Sequence, residues 1–257
     1  MIYPASPECV PPLDIAAGRY TLRFAGNRDD LDRVLQLRFR VFNLELGEGL
    51  DEAYRTGRDV DELDASFHHL MIVCRTTGNV VGTYRMQTSE MATRLGGFYS
   101  AGEFDLSTVP LNVMRHSIEI GRACVARDHR NGRVLHLLWR GLAAYLAWNQ
   151  KRYLFGCCSL TSQDPALGLA VFEHLERGGH LDEAIRVSPL ARTECILKDP
   201  SAAPPPFELP PLFESYLHLG ARVCGPPAID RLFKTIDFLV ALDTEALEPS
   251  AYRSFFR

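Results

Sequence analysis

The order of strand-like and helix-like segments along the chain predicts an α/β fold. A run with helical periodicity at residues 133–149 lies between two strand-like runs, at 117–126 and 153–160. Two further strand-like runs, at 69–75 and 79–87, are separated by a turn that contains glycine. With 257 residues, of which 46% are hydrophobic, the chain is long enough to bury the core that such a sheet needs.

The N-terminal part divides into four segments. Residues 1–18 hold four prolines without periodicity and predict a flexible arm, which leaves residues 19–257 for a single domain. A strand at 20–24 is followed by Asn27, a predicted N-cap, and a helix through Phe42. The acidic, glycine-containing residues 45–64 are too polar for core and predict a long surface excursion.

The C-terminal part continues the alternation. A helix is predicted at 165–177, and the proline-rich residues 200–211 predict an extended connector. The remaining residues, 212–257, predict an extension with a helix at 212–223 and a last strand at 236–242.

The composition argues against several other classes of protein. A net charge of −4 gives no overall attraction to nucleic acid. No apolar run reaches the roughly 18–20 residues of a membrane-spanning helix, and residues 1–12 lack the layout of a signal peptide, so a cytoplasmic location is expected. The seven cysteines are scattered without a C-x-x-C pair, which predicts reduced thiols and no metal site.

The junction between the strand at 117–126 and the next helix has the character of an anion-binding turn. Arg127, Arg130 and Arg133 surround Gly132, where backbone N–H groups and the helix dipole favour a phosphate. A phosphorylated group is the predicted guest, although arginine-rich turns of this kind are often only solvated.

A set of short motifs occurs in order along most of the chain. The motifs are residues 38–42, 59–64, 69–70, 82–85, 97–100, 103–104, 119–122, 138–142 and 155–159, with 216–220, 225–226 and 230–237 near the end. This ordered set resembles the bacterial ornithine-acyl carrier protein N-acyltransferases, which make lyso-ornithine lipid and are often labelled hemolysin-like. A smaller set is similar to acyl-homoserine-lactone synthases and long-chain N-acyl amino acid synthases: Arg38, Phe42, Asp61, Asp64, Arg85, Glu119 and Arg122.

The resemblance implies an N-acetyltransferase-like fold, also similar to the acyl-homoserine-lactone synthases, with a central mixed sheet flanked by helices. In that fold the pantetheine arm of the donor lies between two splayed parallel strands, here residues 118–126 and 153–160. The implied donor-binding residues are Cys124, Val125, Ala126, Arg127, Arg130, Gly132 and Arg133. A backbone N–H near residues 124–126 is the expected oxyanion donor, at a bulge that opens the two strands.

The phosphate turn departs from the acetyltransferase pattern. That pattern has a glycine where this chain has Arg130, although Arg127 and Gly132 fit it. The departure argues against acetyl-CoA as donor and favours acyl-phosphopantetheine on acyl carrier protein. The acidic surface of that protein would suit a basic entrance formed by Arg127, Arg130 and Arg133. No tightly bound cofactor is expected.

Transfer of an acyl group from a thioester to an amino acid needs a base that deprotonates the attacking amine. Glu119 is the first candidate, and the alternative is a structural ion bridge from Glu119 to Arg122 or Arg85. His69 is the second candidate, because an imidazole titrates near neutral pH, but a histidine in this position is more often structural. Cys157 and Cys158 are better explained as core residues than as nucleophiles, since direct attack by the amine needs no thiol.

Acceptor and acyl chain have separate candidate residues. Arg38, Asp61, Asp64, Arg85 and Arg122 are the candidates for binding the acceptor, with the acidic segment as a lid; the alternative is a solvated loop. The aromatic candidates for an acyl tunnel are Phe42, Phe98 and Tyr99, with Phe213 and Tyr216.

The function that follows from the resemblance is transfer of a long-chain, 3-hydroxylated acyl group from acyl carrier protein to the α-amine of ornithine. A synthase that acts on glycine or another amino acid is the alternative within the same chemistry. A non-enzymatic module that binds acyl groups or carrier protein is the alternative from another class. The lipid-like product also predicts peripheral contact with the inner membrane, through residues 212–223 or 252–257.

Overall fold

The computed structural model describes residues 10–197 and 205–256. Within these ranges, nine strands form one sheet and two short strands form a separate ribbon. The strands are β1 (Asp14–Ala17), β2 (Tyr20–Phe24), β3 (His68–Cys74), β4 (Val80–Thr88), β5 (Phe104–Asp105), β6 (Ser117–Val125), β7 (Tyr153–Leu160), β8 (Ser188–Pro189), β9 (Arg222–Val223), β10 (Ala228–Asp230) and β11 (Thr235–Asp243).

The helices of the described residues connect and cover these strands. They are α1 (Arg28–Arg38), α2 (Ala53–Thr56), α3 (Ser89–Leu95), α4 (Leu111–Arg115), α5 (Gly132–Trp148), α6 (Pro165–Arg177), α7 (Pro211–His218) and α8 (Pro249–Phe256). A π-helical segment, Phe39–Glu45, continues directly from α1.

The large sheet is mixed. Its strand order is β1-β2-β3-β4-β6-β7-β11-β10, and β9 also pairs with β11. The neighbours in this order pair antiparallel, apart from β6 and β7, which run parallel and are connected through α5. The predicted α/β class with a mixed sheet between helices is therefore confirmed.

Alternation along the strands places core on both faces of the sheet. On β3, Leu70 and Ile72 pack in the cluster that contains the buried side of α5, whereas Met71 packs with Val34 and Leu37 of α1. Helices α1 and α5 therefore cover opposite faces of the same strands, and β4 and β6 are held between them.

The sequence placed several elements well. The boundaries of β2, β7 and α6 are those predicted, and Asn27 caps α1 by accepting a hydrogen bond from the backbone N–H of Asp30 at 2.9 Å. The hairpin of β3 and β4 and the strand–helix junction of β6 and α5 are confirmed, with boundaries shifted by one or two residues.

Two predictions need correction. Residues 14–17 of the predicted arm form β1, an edge strand paired with β2, while residues 1–9 lie outside the described residues. The predicted helix at 212–223 ends as α7 at His218, because Gly220 takes a φ of +95° and the chain turns into β9. The last strand is confirmed, but the tail after it forms α8. Of the predicted connector, residues 200–204 lie outside the described residues, and 205–210 form no regular element before Pro211 begins α7.

Candidate active site

The parallel pair β6 and β7 separates after a short contact. Pairing runs from Ser117 to Glu119 on β6 and from Tyr153 to Phe155 on β7, and the register ends there. Gly156 marks the point of separation, because a Cβ at this position would lie 2.0 Å from the carbonyl oxygen of Ile120. Only glycine lets the two backbones approach so closely at the apex of the opening.

A β-bulge lies beside this opening. The register between β4 and β6 shifts so that Arg122 and Ala123 on β6 lie opposite the single residue Tyr84 on β4. Arg122 takes a φ of +49°, a left-handed conformation that is uncommon for a residue with a side chain. The predicted bulge is therefore present, but it precedes the predicted residues 124–126.

A cavity of about 550 Å³ occupies the opening between the two strands. This volume falls within the roughly 300–1,000 Å³ typical of small-molecule sites. Its wall is mainly apolar and includes side chains from α5, α7 and the π-helical segment, among them Phe42, Leu138, Trp139, Phe213 and Tyr216. The opening therefore leads to a space suited to an apolar chain.

The phosphate turn lies at the edge of this cavity. Cys124, Val125, Arg130 and Gly132 line it, and Asn131 caps α5 by accepting a hydrogen bond from the backbone N–H of Val134 at 3.2 Å.

Arg130 ties this turn to the π-helical segment. Its guanidinium forms an ion pair with Glu45 at 2.6 Å and donates from Nε to the carbonyl of Val125 at 3.1 Å. Arg127 and Arg133 are exposed beside it, and Ala126 donates its N–H to the carbonyl of Val81 at 2.9 Å.

Behind the cavity wall, Arg38 is fully buried between two carboxylates. It pairs with Asp59 at 2.7 Å and with Asp64 at 2.6 Å. Burial opposes the charge of Arg38, but the carboxylates of Asp64 and Asp59 raise its pKa. Burial likewise opposes the charge of Asp64, and the guanidinium groups of Arg38 and Arg85 hold its pKa well below the usual range.

Two further arginines complete this network. Arg85 pairs with Asp61 at 2.6 Å and with Asp64 at 3.0 Å, and Arg122 lies 3.3 Å from Asp61. The network thus contains three arginines and three aspartates, and its formal charge is zero. This corrects the prediction of a surface excursion in part: arginines of α1, β4 and β6 hold the carboxylates of Asp59, Asp61 and Asp64, while Val60 and Glu62 are exposed.

The predicted acceptor residues divide between two locations. Arg85 and Arg122 line the cavity, whereas Arg38, Asp61 and Asp64 lie outside its lining, within the network. The carboxylates of Asp61 and Asp64 already have arginine partners, so neither presents an unpaired negative charge to a cationic substrate. The part of these residues in acceptor binding stays a prediction.

Glu119 lies on the cavity wall with both carboxylate oxygens engaged. It accepts hydrogen bonds from Gln87 Nε2 at 2.6 Å and from the backbone N–H groups of Tyr99 and Ser100, both at 2.8 Å. In the described residues Glu119 forms no ion pair with Arg122 or Arg85, so the ion-bridge alternative is wrong. The three bonds hold the 3₁₀ turn at Tyr99–Gly102 against β6.

His69, the second candidate base, is placed differently. It is 1% exposed, it lies outside the cavity lining, and its Nε2–H donates to the carbonyl of Asp64 at 3.0 Å. Burial lowers the pKa of His69 to about 4, against the opposing effect of the Asp64 carboxylate. The ring is therefore neutral near pH 7 and supports the acidic segment.

The structure also shows where the aromatic and cysteine candidates lie. Phe42 and Tyr99 line the cavity, whereas Phe98 packs edge-on against Phe155 at 4.9 Å. Burial raises the pKa of the thiols of Cys157 and Cys158, and Cys158 packs in the main hydrophobic cluster. Protonated thiols are poor nucleophiles, in agreement with the predicted core role.

Sequence reasoning missed three buried acidic residues near the cavity. Glu48 and Asp237 line it, and Glu103 lies close to Asp237 and Cys157. Asp237 interrupts the apolar run of β11, a signal that could have been noticed, since an isolated carboxylate in a buried strand is rare. Glu48 was missed because its polar neighbours in the sequence suggested that it is exposed to solvent.

The pKa values of these groups are raised. Burial raises the pKa of Glu48 to about 7, against a hydrogen bond from the hydroxyl of Thr161. Burial also raises the pKa of Asp237, and burial together with the Asp237 charge raises that of Glu103 well above its usual range. The ligand atoms of Glu103, Cys157 and Asp237 lie within 4.8 Å of one another, but burial raises the pKa values of all three groups and so opposes the deprotonated forms that a metal requires.

A mixed sheet with a bulged β6, a splayed β6–β7 pair and an apolar cavity at the opening defines an acyltransferase of the N-acetyltransferase class. Residues 37–140 match the acetyltransferase (GNAT) domain. The chain is 33% identical over 257 residues to an L-ornithine N(alpha)-acyltransferase of Brucella abortus, across 93% of this chain and 89% of that protein. It is 34% identical over 237 residues to a Rhizobium meliloti protein of the same name, across 86% of this chain and 78% of that protein. The chain belongs to the L-ornithine N(alpha)-acyltransferase family, as the motifs predicted.

A solved structure shares the fold. FeeM, an N-acyl amino acid synthase from uncultured soil microbes, superimposes with a TM-score of 0.51 at 12% identity, across 92% of this chain and 94% of that chain. Among the described residues, no helix is long and apolar enough to cross a membrane.

Proposed function

We propose that this acyltransferase moves a long-chain, 3-hydroxylated acyl group from acyl carrier protein to the α-amine of ornithine, which gives lyso-ornithine lipid. The observation that carries the proposal is the apolar cavity at the β6–β7 opening, in a chain of the ornithine acyltransferase family. Family membership also favours an enzyme over a module that only binds acyl groups.

The donor is proposed to enter between β6 and β7 with its thioester beside the bulge. The phosphate would lie near the N-terminus of α5, and the acidic carrier protein would contact the exposed Arg127 and Arg133. The acyl chain would then occupy the apolar part of the cavity. Of the expected oxyanion donors at residues 124–126, the N–H of Ala126 is already bonded to the carbonyl of Val81, and Cys124 pairs with Thr83 in the same β4–β6 ladder. Alternation along that ladder turns the N–H of Val125 away from β4, so Val125 is the proposed donor.

In the proposed reaction the amine nitrogen attacks the thioester carbon, the C–S bond breaks, and the pantetheine sulfur leaves as a thiol. The amine loses a proton, which Glu119 is proposed to accept, directly or through water, and then to pass to the leaving sulfur, so that the carboxylate is regenerated. A carboxylate offers about four lone-pair sites, and the structure fills three of those of Glu119. One site remains for the proton that moves.

The test is thiol release from 3-hydroxyacyl carrier protein by the purified chain across a panel of amino acids, with products identified by mass spectrometry. Release that requires ornithine and yields an N-acyl product supports the proposal. Release with glycine or another amino acid instead supports the alternative synthase. Carrier-protein binding without thiol release favours the binding module.

Peripheral membrane contact is a further part of the proposal. Residues of α7 line the cavity, so a lipid-like product would leave beside this helix. Flotation with anionic vesicles tests the contact, and a protein that stays with the unbound fraction would contradict it.

A further inference from the structure

Three acidic side chains of the cavity wall have no ion-pair partner among the described residues: Glu119, whose oxygens accept three hydrogen bonds, and Glu48 and Asp237. The arginines of the buried network are matched one for one by Asp59, Asp61 and Asp64. Within the described residues, neither Glu48 nor Asp237 has a Lys, Arg or His nitrogen within 4.0 Å. Both are almost fully buried, at 5% and 3% exposure. Buried carboxylates are normally paired, so these two lack an expected partner.

One carboxylate oxygen of Asp237 lacks a hydrogen-bond donor. It lies on β11 opposite Ser159 of β7, its side chain lines the cavity, and its Oδ1 has no hydrogen-bond partner. Leaving a buried acceptor unpaired destabilises the folded state, so a donor supplied by a ligand would explain why the residue is tolerated.

Glu48 is held in place by its backbone. Its N–H donates to the carbonyl of Phe42 at 2.8 Å, and the following N–H, of Gly49, donates to the carbonyl of Phe233 at 3.0 Å. Gly47 and Gly49 take φ values of +71° and +78°, which favour glycine. The turn that directs Glu48 toward the cavity is therefore built into the local sequence.

We propose that Glu48 and Asp237 bind the side-chain ammonium of a diamino acid acceptor and so select ornithine over neutral amino acids. This inference rests on the proposed function. An ammonium carries a positive charge and supplies up to three N–H donors, enough to reach both Glu48 and the unpartnered oxygen of Asp237.

The charge distribution supports this assignment. Besides burial, the charge of Asp230 raises the pKa of Asp237, and the charge of Asp237 raises the pKa values of Glu103 and Glu48. A bound cation would stabilise the ionised forms and relieve this repulsion.

The experiment compares ornithine with norvaline, the same amino acid without the side-chain amine, as acceptors for the full-length chain. The variants are Glu48→Gln and Asp237→Asn, and the matched control is Asp51→Asn, an exposed acid 84% accessible in the same segment. Loss of one charged hydrogen bond predicts a KM for ornithine raised by about ten- to a hundredfold. The KM for norvaline should change less than threefold, and the control should resemble the wild type.

A binding readout separates this inference from the proposed function. Ornithine should raise the Tm of the wild type, and the increase should be lost in both variants, whose folding is checked by circular dichroism. If the wild type acylates ornithine and the variants keep its preference over norvaline, the inference falls and the proposed function stands. If the wild type does not acylate ornithine, the proposed function is wrong. The inference is then wrong as well, except where ornithine raises the Tm of the wild type and not that of the variants.

Discussion

Replacing Gly156 by alanine should separate the two strands at the apex of the cavity. The new Cβ would lie 2.0 Å from the carbonyl oxygen of Ile120, whereas real Cβ atoms keep at least 3.0 Å from such neighbours. Because the contact is with backbone, one strand must move by about 1 Å instead of a side chain rotating away. Overpacking of this kind costs about 3 kcal/mol, which corresponds to a Tm lower by roughly 6–10 °C for a chain of this size.

Urea unfolding followed by circular dichroism measures this effect. The matched control is Gly121→Ala, in the same cavity wall, where a Cβ would meet nothing within 4 Å; we expect its free energy of unfolding to stay within about 0.5 kcal/mol of the wild type. If the free energy of unfolding of Gly156→Ala lies within 1 kcal/mol of the wild-type value, the backbones of β6 and β7 do not approach this closely at Gly156, and this contact does not fix the opening between them.

Three further predictions concern the charged residues. Glu119→Gln should lower thiol release by about a hundredfold with the fold retained, measured by single-turnover kinetics; little change would assign proton removal to another group or to water. Arg38→Met should cost about 3–5 kcal/mol in urea unfolding because it strands two buried carboxylates, whereas the exposed Arg55→Met should cost less than about 1 kcal/mol; equal costs would show that the network contributes little. For His69, whose pKa falls to about 4 on folding, the unfolded chain binds the extra proton between pH 6.5 and 4, so stability is lost as pH falls through this window. His69→Gln should flatten that slope by about 1.4 kcal/mol per pH unit, and an unchanged slope would show that the ring is not buried neutral.

The elements that the sequence predicted well are those whose signals are local. The apolar run of β7, the periodicity of α6 and the cap at Asn27 each lie within a few residues of the structure that they determine. Gly220 is a similar local signal, because its positive φ ends α7 early, and it was overlooked in favour of helical spacing.

The features that could not be predicted depend on partners far apart in the chain. Asp59 and Asp64 look solvent-exposed by their composition, and only the fold brings Arg38, 21 residues before Asp59, into contact with both. The bulge itself was predicted, but its position was not, because the left-handed residue is Arg122 and not the adjacent Gly121. The family resemblance located several residues of the cavity wall, but it gave no indication that Glu48 and Asp237 face the same space.

The π-helical segment Phe39–Glu45 determines how far the chain rotates about the helix axis between Arg38 and Glu48. Arg38 directly before it faces the buried aspartates, and Glu48 shortly after it faces the cavity. Each residue of an α-helix turns the chain by about 100°, and a π-helical turn accommodates one residue more than an α-helical turn. Deleting a single residue here would restore a continuous α-helix and rotate Glu48 away from the cavity while Arg38 kept its partners. Homologues that differ in length at this point are therefore expected to differ in the amino acid that they accept, even where their fold is unchanged.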